Sequence, residues 1–401
     1  MTAPVDVVRS ASGSHSLPVR FTSAVGGSPR PRRARTRAVV GVLTVAVAAV
    51  MVGAIQITAN IGYDEARAGF DDALASTESS ATVVRQDVEE LSAYADVAEL
   101  LVQTDSGILV LPATRDELSA AATAADDVSG PAQDLLGADL PVAGPKPDAF
   151  WDLFTASSEL AAQTSDLQRL DRDLGDVAPS IADAATRVTD AGIALLASAA
   201  EAAPAFESAH LSAKNDAVVA LRNAASAASL TTTLDESAVG ALVALQDAAA
   251  QVVATEQVEL AEKSGPLEGA RLEIEAFARS LAPGVLLEFD WNQIVNGAGY
   301  NGSMGGLTRW WWDDPDRATI ELSNSVAEQW PSERSRALVA HEVGHAISVK
   351  CEDMYDSSTQ DSIEKWATAW AISMGFTDDA NGVWAYGYPP QSYIDAAYGC
   401  R

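Results

Sequence analysis

The chain has 401 residues, a mass of 41.8 kDa and a formal net charge of −30, from 26 Lys and Arg against 56 Asp and Glu. This length leaves room for two or three ordinary domains. Because the neutralisation of phosphates by basic side chains supplies most of the affinity for nucleic acids, we expect no nucleic-acid partner.

The first 37 residues have the opposite charge balance. They contain seven arginines and a single acidic residue, Asp6, which gives a net charge of +6 and leaves −36 for the rest of the chain. The segment is also rich in Pro, Gly and Ser, a composition that does not support a packed core. We predict a disordered basic tail over residues 1–37.

An apolar segment without a formal charge follows, from Ala38 to Ala59. A helix needs about 20 such residues to cross the hydrocarbon core of a bilayer. We predict a transmembrane helix over residues 38–60, with a cytoplasmic N-terminus because basic residues favour that side. The protein would then lie in the cell membrane as a single-pass protein with its later domains extracellular. A cleaved signal peptide is the alternative, although its basic region would be unusually long.

Residues 61–282 are dominated by Ala, Asp, Glu, Leu and Ser and contain one tryptophan and no cysteine. Apolar residues recur at helical spacing, which predicts an all-α helical bundle. Breaks are expected at residues 107–112, 130–131, 137–147, 204 and 231–233, where Gly, Pro or Thr interrupt the pattern. A row of leucines at seven-residue spacing indicates a core-facing stripe, with an intermolecular coiled coil as the alternative: Leu153, Leu160, Leu167 and Leu174.

Residues 283–401 hold eight of the nine tryptophans and both cysteines, and they predict a small α+β domain. A strand is expected over residues 317–323, where side chains alternate in polarity, and residues 285–290 are a second candidate strand. For the triplet Trp310–Trp312 we favour core packing over a wall that recognises substrate. Trp366 and Trp370, one helical turn apart, are also expected in the core.

One motif in this domain indicates a catalytic metal site. His341, Glu342 and His345 form the pattern HExxH, preceded by a helix start at Pro331-Ser332. The spacing places both imidazoles on one helical face, where they can bind the same zinc ion, with a carboxylate beside them. An ordinary helix with two hydrogen-bonded histidines is the alternative.

A catalytic zinc takes a third protein ligand, and Glu364 is our candidate. It lies 19 residues after His345, and the small Ala367 three residues later would let the two helices approach closely. Two other interpretations remain open, namely a capping role for Glu364 after Asp361 and Cys351 as the ligand.

These residues resemble the zinc metallopeptidases called zincins, and most closely a minimal gluzincin, in which a second helix supplies a glutamate about twenty residues downstream. The resemblance covers residues 317–374. It implies Zn²⁺ as cofactor, with His341, His345 and Glu364 as ligands and Glu342 as general base. Thr368 departs from the family, which often has aspartate at that position to orient a zinc-bound histidine.

The resemblance also implies a peptide or protein substrate that pairs with the strand at 317–323, and an oxyanion donor. Tyr386, Tyr388 and Tyr393 are candidates for that donor by residue type alone. The alternative function is an extracellular scaffold or ligand-binding protein whose zincin-like domain is inactive or holds structural zinc. The oligomeric state remains open.

The only two cysteines are Cys351 and Cys400. In an exported domain an even number of cysteines predicts a disulfide, and two free thiols are the alternative. The bond would tie the C-terminus to the segment that follows the HExxH helix.

Overall fold

The computed structural model describes residues 33–401, with side chains from residue 43, so residues 1–32 of the predicted tail lie outside the described residues. The α-helices of this range are α1 (Arg33–Thr104), α2 (Pro112–Leu136), α3 (Phe150–Ala209), α4 (Asn215–Ser229), α5 (Glu236–Lys263), α6 (Glu268–Leu281), α7 (Asn324–Glu328), α8 (Glu333–Ser348), α9 (Gln360–Ser373), α10 (Val383–Tyr386) and α11 (Gln391–Ala397). The strands are β1 (Leu286–Asn292), β2 (Gly306–Trp311) and β3 (Asp314–Ser323). The protein is therefore mostly helical, with one small sheet in its C-terminal part.

The chain divides into two compact units. Of the described residues, one unit comprises those up to residue 71 together with residues 142–163, and the other comprises residues 72–141 and 164–401. In the first unit, α1 begins at Arg33, so the last five residues of the predicted tail are helical. Apolar side chains are exposed along the predicted membrane segment: Leu43, Val45, Val47, Val50, Met51, Val52, Ile55 and Ile57.

Two described helices are long and apolar enough to cross a membrane by length and composition, namely α1 from Leu43 onward and α5. Their surroundings differ. The most apolar stretch of α1 is almost wholly exposed, whereas nearly half of the most apolar stretch of α5 is buried. Since Leu242, Leu245 and Val252 of α5 lie in the core of the second unit, that helix is explained as a bundle helix.

The predicted helical region is confirmed as helical, and three of the predicted breaks coincide with the gaps after α1, α2 and α4. Two breaks are wrong, because Pro131 lies inside α2 and Pro204 lies inside α3. Buried residues continue across both prolines, with Ala125 and Ala132 in α2 and Ala203 beside Pro204. Tertiary packing there outweighs the backbone hydrogen bond that a proline removes.

The leucine row on α3 is buried within this single chain. Leu153, Leu160, Leu167 and Leu174 are at most 5% exposed, so the core-facing interpretation is confirmed.

Not all acidic residues of the helical region face solvent. Lys263, at the end of α5, is buried with Glu259 and Glu275, and its Nζ lies 3.4 and 3.2 Å from their carboxylates. Glu259 also pairs with Lys214 at 2.8 Å, and Lys214 lies 3.5 Å from Glu288 on β1. Within the second unit this network therefore joins the ends of the bundle helices to the sheet.

The sheet has the strand order β1-β3-β2. β1 and β3 are parallel and are the two predicted strands, while β2 is antiparallel to β3 and was not predicted. Because β3 is hydrogen bonded along both edges, the expectation that residues 317–323 pair with substrate is wrong. β1 and β2 are the two edge strands of this sheet, and among the described strands only β3 pairs with β2.

The core under the sheet also contains residues that precede the predicted boundary at 283, namely Ile274, Ala278 and Ala282. Trp366 and Trp370 are fully buried in this core, as predicted. The tryptophan triplet is different. Trp311 and Trp312 are 37% and 44% exposed, so core packing is wrong for these two, because they stand at the end of an outer strand and in its turn.

The predicted disulfide between Cys351 and Cys400 is present. It joins the C-terminus to the segment after α8, and the indole N–H of Trp370 donates to the carbonyl of Cys400 at 2.9 Å. The disulfide and this hydrogen bond together hold the C-terminus against α8 and α9.

Candidate metal centre

Helix α8 carries the HExxH motif into the interior. It begins after Ser332, whose hydroxyl accepts a hydrogen bond from the backbone N–H of Ser335 at 3.2 Å, so the predicted helix start is confirmed. His341, Glu342 and His345 are each at most 5% exposed. Such burial of three polar side chains requires partners, because an unpaired buried polar group is costly.

Helix α9 supplies Glu364. Its Oε2 lies 3.2 Å from Nε2 of His341 and 3.1 Å from Nε2 of His345, and the two Nε2 atoms are 3.2 Å apart. The capping interpretation is wrong, because Thr359 caps α9 by accepting from the N–H of Ser362. Cys351 is in the disulfide and cannot be a ligand.

The donor atoms fit a zinc ion. Tetrahedral ligands at about 2.0–2.1 Å from zinc lie about 3.3–3.4 Å from one another. The three observed separations of 3.1–3.2 Å are close to that value, and two imidazole nitrogens with one carboxylate oxygen are donors that zinc accepts. His341, His345 and Glu364 form the metal-compatible cluster of the described residues.

The cluster exists because α8 and α9 approach very closely. Gly344 lies on α8 between the two histidines, and a β-carbon there would come within 2.8 Å of the carbonyl oxygen of Ala367. The prediction that the small Ala367 permits a close approach is borne out, and Gly344 is its counterpart on α8. This contact lies within one helical turn of all three candidate ligands.

The two imidazoles are oriented differently. Nδ1 of His341 lies 3.4 Å from the hydroxyl of Thr368, which itself donates to the carbonyl of Glu364 at 2.8 Å. The hydroxyl can therefore accept a hydrogen bond from Nδ1–H, and in that tautomer the lone pair of Nε2 is available to a metal ion. His345 is instead stacked on Trp310, with ring centroids 5.3 Å apart and planes 6° apart.

Glu342 lies beside the cluster and is held from β2. The hydroxyl of Thr308 donates to its Oε2 at 2.7 Å and lies 3.0 Å from its backbone carbonyl. Burial raises the pKa of Glu342, an effect that the charge of Glu364 reinforces and that His341 and the Thr308 hydrogen bond oppose. A raised pKa makes the carboxylate a better proton acceptor, as a general base requires.

The pKa of Glu364 is shifted in the opposite direction. Burial alone would raise its pKa, but hydrogen bonds from His341 and His345 outweigh that effect and hold the pKa well below its usual range. The carboxylate is therefore ionised near neutral pH, which is the form that binds a metal ion.

The structure distinguishes the three candidate tyrosines. Tyr386 stacks over His341, with centroids 6.0 Å apart, and burial together with the Glu364 and Glu342 carboxylates raises its pKa to about 12. Tyr388 is 66% exposed. The hydroxyl of Tyr393 hydrogen bonds to Ser362 of α9, and its ring packs edge-on against Trp366 of the same helix.

Three residues beside the cluster escaped prediction: Gly306, Thr308 and Gly382. A β-carbon on Gly382 would lie 2.7 Å from Nδ1 of His341, and its backbone has φ of +103°, so only glycine fits there. None of the three belongs to a recognisable motif, and β2 itself gives no strand signal.

No known protein family, curated protein or solved structure matches this chain. Function is therefore inferred from the chemistry of the centre alone.

Proposed function

We propose that the protein is a membrane-anchored extracellular zinc metallopeptidase. The observation that supports this most is the convergence of Nε2 of His341, Nε2 of His345 and Oε2 of Glu364 within 3.2 Å of one another, with the Glu342 carboxylate beside them. Three protein ligands leave one position of a tetrahedral zinc for water, which is the arrangement of catalytic rather than structural sites.

Each nearby side chain has a role in this proposal. A bound zinc ion would supply an activated water and would polarise the scissile carbonyl. Glu342 takes a proton from the attacking water and passes it to the leaving amine. Tyr386 is protonated at neutral pH, as a tyrosine normally is, and its hydroxyl can donate to the oxygen that becomes negative in the transition state.

The outer edge of β2 makes an extended peptide the favoured substrate. A strand with an unpaired edge can take up an extended segment through backbone hydrogen bonds. β2 runs beside the centre, because Thr308 contacts Glu342 and Trp310 contacts His345. The peptide would therefore be laid across the reactive groups by the strand that borders them.

The membrane anchor is supported by the first part of α1. Its apolar side chains are exposed from Leu43 to Ile57 of the uncharged segment, and the arginine-rich segment precedes it. The positive-inside preference then places the C-terminal part outside the cell.

The proposal is tested by metal analysis together with hydrolysis. We expect the purified full-length protein in detergent to hold about one zinc per chain by mass spectrometry and to cleave an unstructured protein such as casein. Removal of zinc with 1,10-phenanthroline should abolish cleavage, and one equivalent of Zn²⁺ should restore it. Bound zinc without hydrolysis would favour the alternative of a scaffold with a structural or inactive zinc site. Absence of zinc would exclude both the peptidase and the structural-zinc site, and would leave the scaffold with an inactive domain.

A second prediction concerns Tyr386→Phe. Loss of the hydroxyl should lower kcat by roughly 100-fold, as for removal of one oxyanion donor, with zinc content unchanged. The matched control is Tyr388→Phe, because Tyr388 lies two residues away and is exposed. The kcat values of both variants are measured by steady-state kinetics on a fluorogenic peptide. Equal kcat values would exclude Tyr386 as the oxyanion donor.

A further inference from the structure

One face of β2 contacts the motif at three successive positions. Alternate residues of a strand share a face, and Gly306, Thr308 and Trp310 are alternate residues. A β-carbon on Gly306 would lie 2.6 Å from the carboxyl carbon of Glu342, Thr308 bonds to Glu342, and Trp310 stacks on His345. The residues between them, Leu307 and Arg309, are exposed.

Glu342 needs such support. Its side chain has several rotatable bonds, and holding it in one position costs conformational entropy. It is only 5% exposed, so bulk water solvates it poorly and the loss of a protein partner is costly. Within the described part of the chain, the hydroxyl of Thr308 is the hydrogen-bond donor to its carboxylate, at 2.7 Å.

The two contacts define the position of the carboxylate together. Thr308 holds one carboxylate oxygen, and the absence of a side chain at Gly306 leaves the space that the other oxygen occupies. Thr308 has one hydroxyl proton and two acceptors, of which the carboxylate at 2.7 Å is nearer than the backbone carbonyl at 3.0 Å.

We infer that Thr308 is a positioning residue that orients the carboxylate of Glu342 from β2, with Gly306 providing the space for it. A role of Thr308 in catalysis rests on the proposed function, but the interaction between the Thr308 and Glu342 side chains does not. Since β2 also has a free edge, the same strand would bind an extended peptide and hold the carboxylate of Glu342.

The coupling is measured by a double-mutant cycle on the full-length protein after zinc removal. The variants are Thr308→Val, Glu342→Leu and the double substitution, and the readout is thermal unfolding by tryptophan fluorescence. That signal reports mainly on the C-terminal part, because eight of the nine tryptophans lie in residues 283–401. Since Glu342→Leu keeps the backbone carbonyl, the cycle isolates the carboxylate contact.

We expect Thr308→Val to lower Tm by roughly 3–10 °C in the wild-type background and by far less in the Glu342→Leu background. If the Thr308→Val protein fails to fold while the double variant folds, the inference is also supported, because removal of the hydroxyl is then harmful only when the Glu342 carboxylate is present. Equal losses of Tm in both backgrounds would overturn the inference.

Kinetics on the zinc-loaded protein supplies the second readout. Thr308→Val should lower kcat by about 10- to 100-fold with KM and zinc content unchanged, because a misplaced base slows only the chemical step. Thr308→Ser keeps the hydroxyl and should restore kcat. Wild-type kcat in Thr308→Val would contradict a positioning role. If the wild type cleaves nothing, the proposed function fails, whereas the cycle on the metal-free protein still decides whether Thr308 holds Glu342.

Discussion

Glu342→Gln is expected to lower kcat/KM by at least about 1,000-fold while the protein keeps its zinc. Gln has nearly the shape of Glu and can still accept the hydrogen bond from Thr308, but it cannot take a proton from water. Zinc should stay because the three candidate donor atoms belong to His341, His345 and Glu364. Burial disfavours the charged form of Glu342, so the neutral substitute should leave Tm unchanged or raise it slightly.

The measurement combines peptide hydrolysis, zinc content and thermal unfolding on the same preparations. Glu333→Gln is the matched control, because Glu333 is exposed in the first turn of the same helix and should leave all three quantities at wild-type values. Residual activity of more than about a tenth in Glu342→Gln would exclude a general-base role for this carboxylate, given the 100-fold or larger contribution that such a base makes.

Gly344→Ala is expected to destabilise the C-terminal part and to weaken zinc binding, although alanine is the better helix former. The new methyl group would lie 2.8 Å from the backbone oxygen of Ala367, and backbone cannot move aside locally. Helices α8 and α9 must separate, at a cost of about 1–3 kcal/mol for overpacking. The separation carries Glu364 away from both imidazoles, so zinc affinity should fall by about tenfold or more.

The expected fall in stability of Gly344→Ala is opposite to what helix propensity predicts. Helix propensity alone would stabilise a Gly-to-Ala variant by up to about 1 kcal/mol. Gly240→Ala is the control for that effect, because Gly240 is exposed in α5 and a β-carbon there meets nothing within 4 Å. We expect opposite shifts of Tm, measured by tryptophan fluorescence for Gly344→Ala and by circular dichroism for Gly240→Ala. A rise in both would show that α8 and α9 have room for the methyl group between them.

Part of the centre is local in sequence and was predictable for that reason. Two histidines four residues apart share a helical face whatever surrounds them, so His341 and His345 could be paired without knowledge of the fold. Glu364 follows on the next long helix, and its carboxylate is 3.2 Å or less from both imidazoles as the zinc prediction requires. The helical character of the middle region was equally predictable, because it depends on the spacing of apolar residues.

Other features depended on contacts between distant segments. Thr308 and Tyr386 are separated from the motif by more than 30 residues, and no pattern near them shows that they face it. The tryptophan triplet illustrates the same limit, because hydrophobicity predicts burial but not that the strand is an outer one. Likewise, the strand at 317–323 was predicted correctly, yet only its pairing on both edges excluded it as the substrate strand.

The sequence by itself determined the uncharged segment, the run of helices and the three side chains able to hold a metal ion, because each depends on spacing along one or two helices. The tertiary structure decided which edge strand lies beside the centre, which tyrosine overlies His341 and which hydroxyl contacts Glu342. These depend on how β2, α8, α9 and α10 pack together. Gly306, Gly344 and Gly382 matter there because their missing side chains allow the close approaches that bring the reactive groups together.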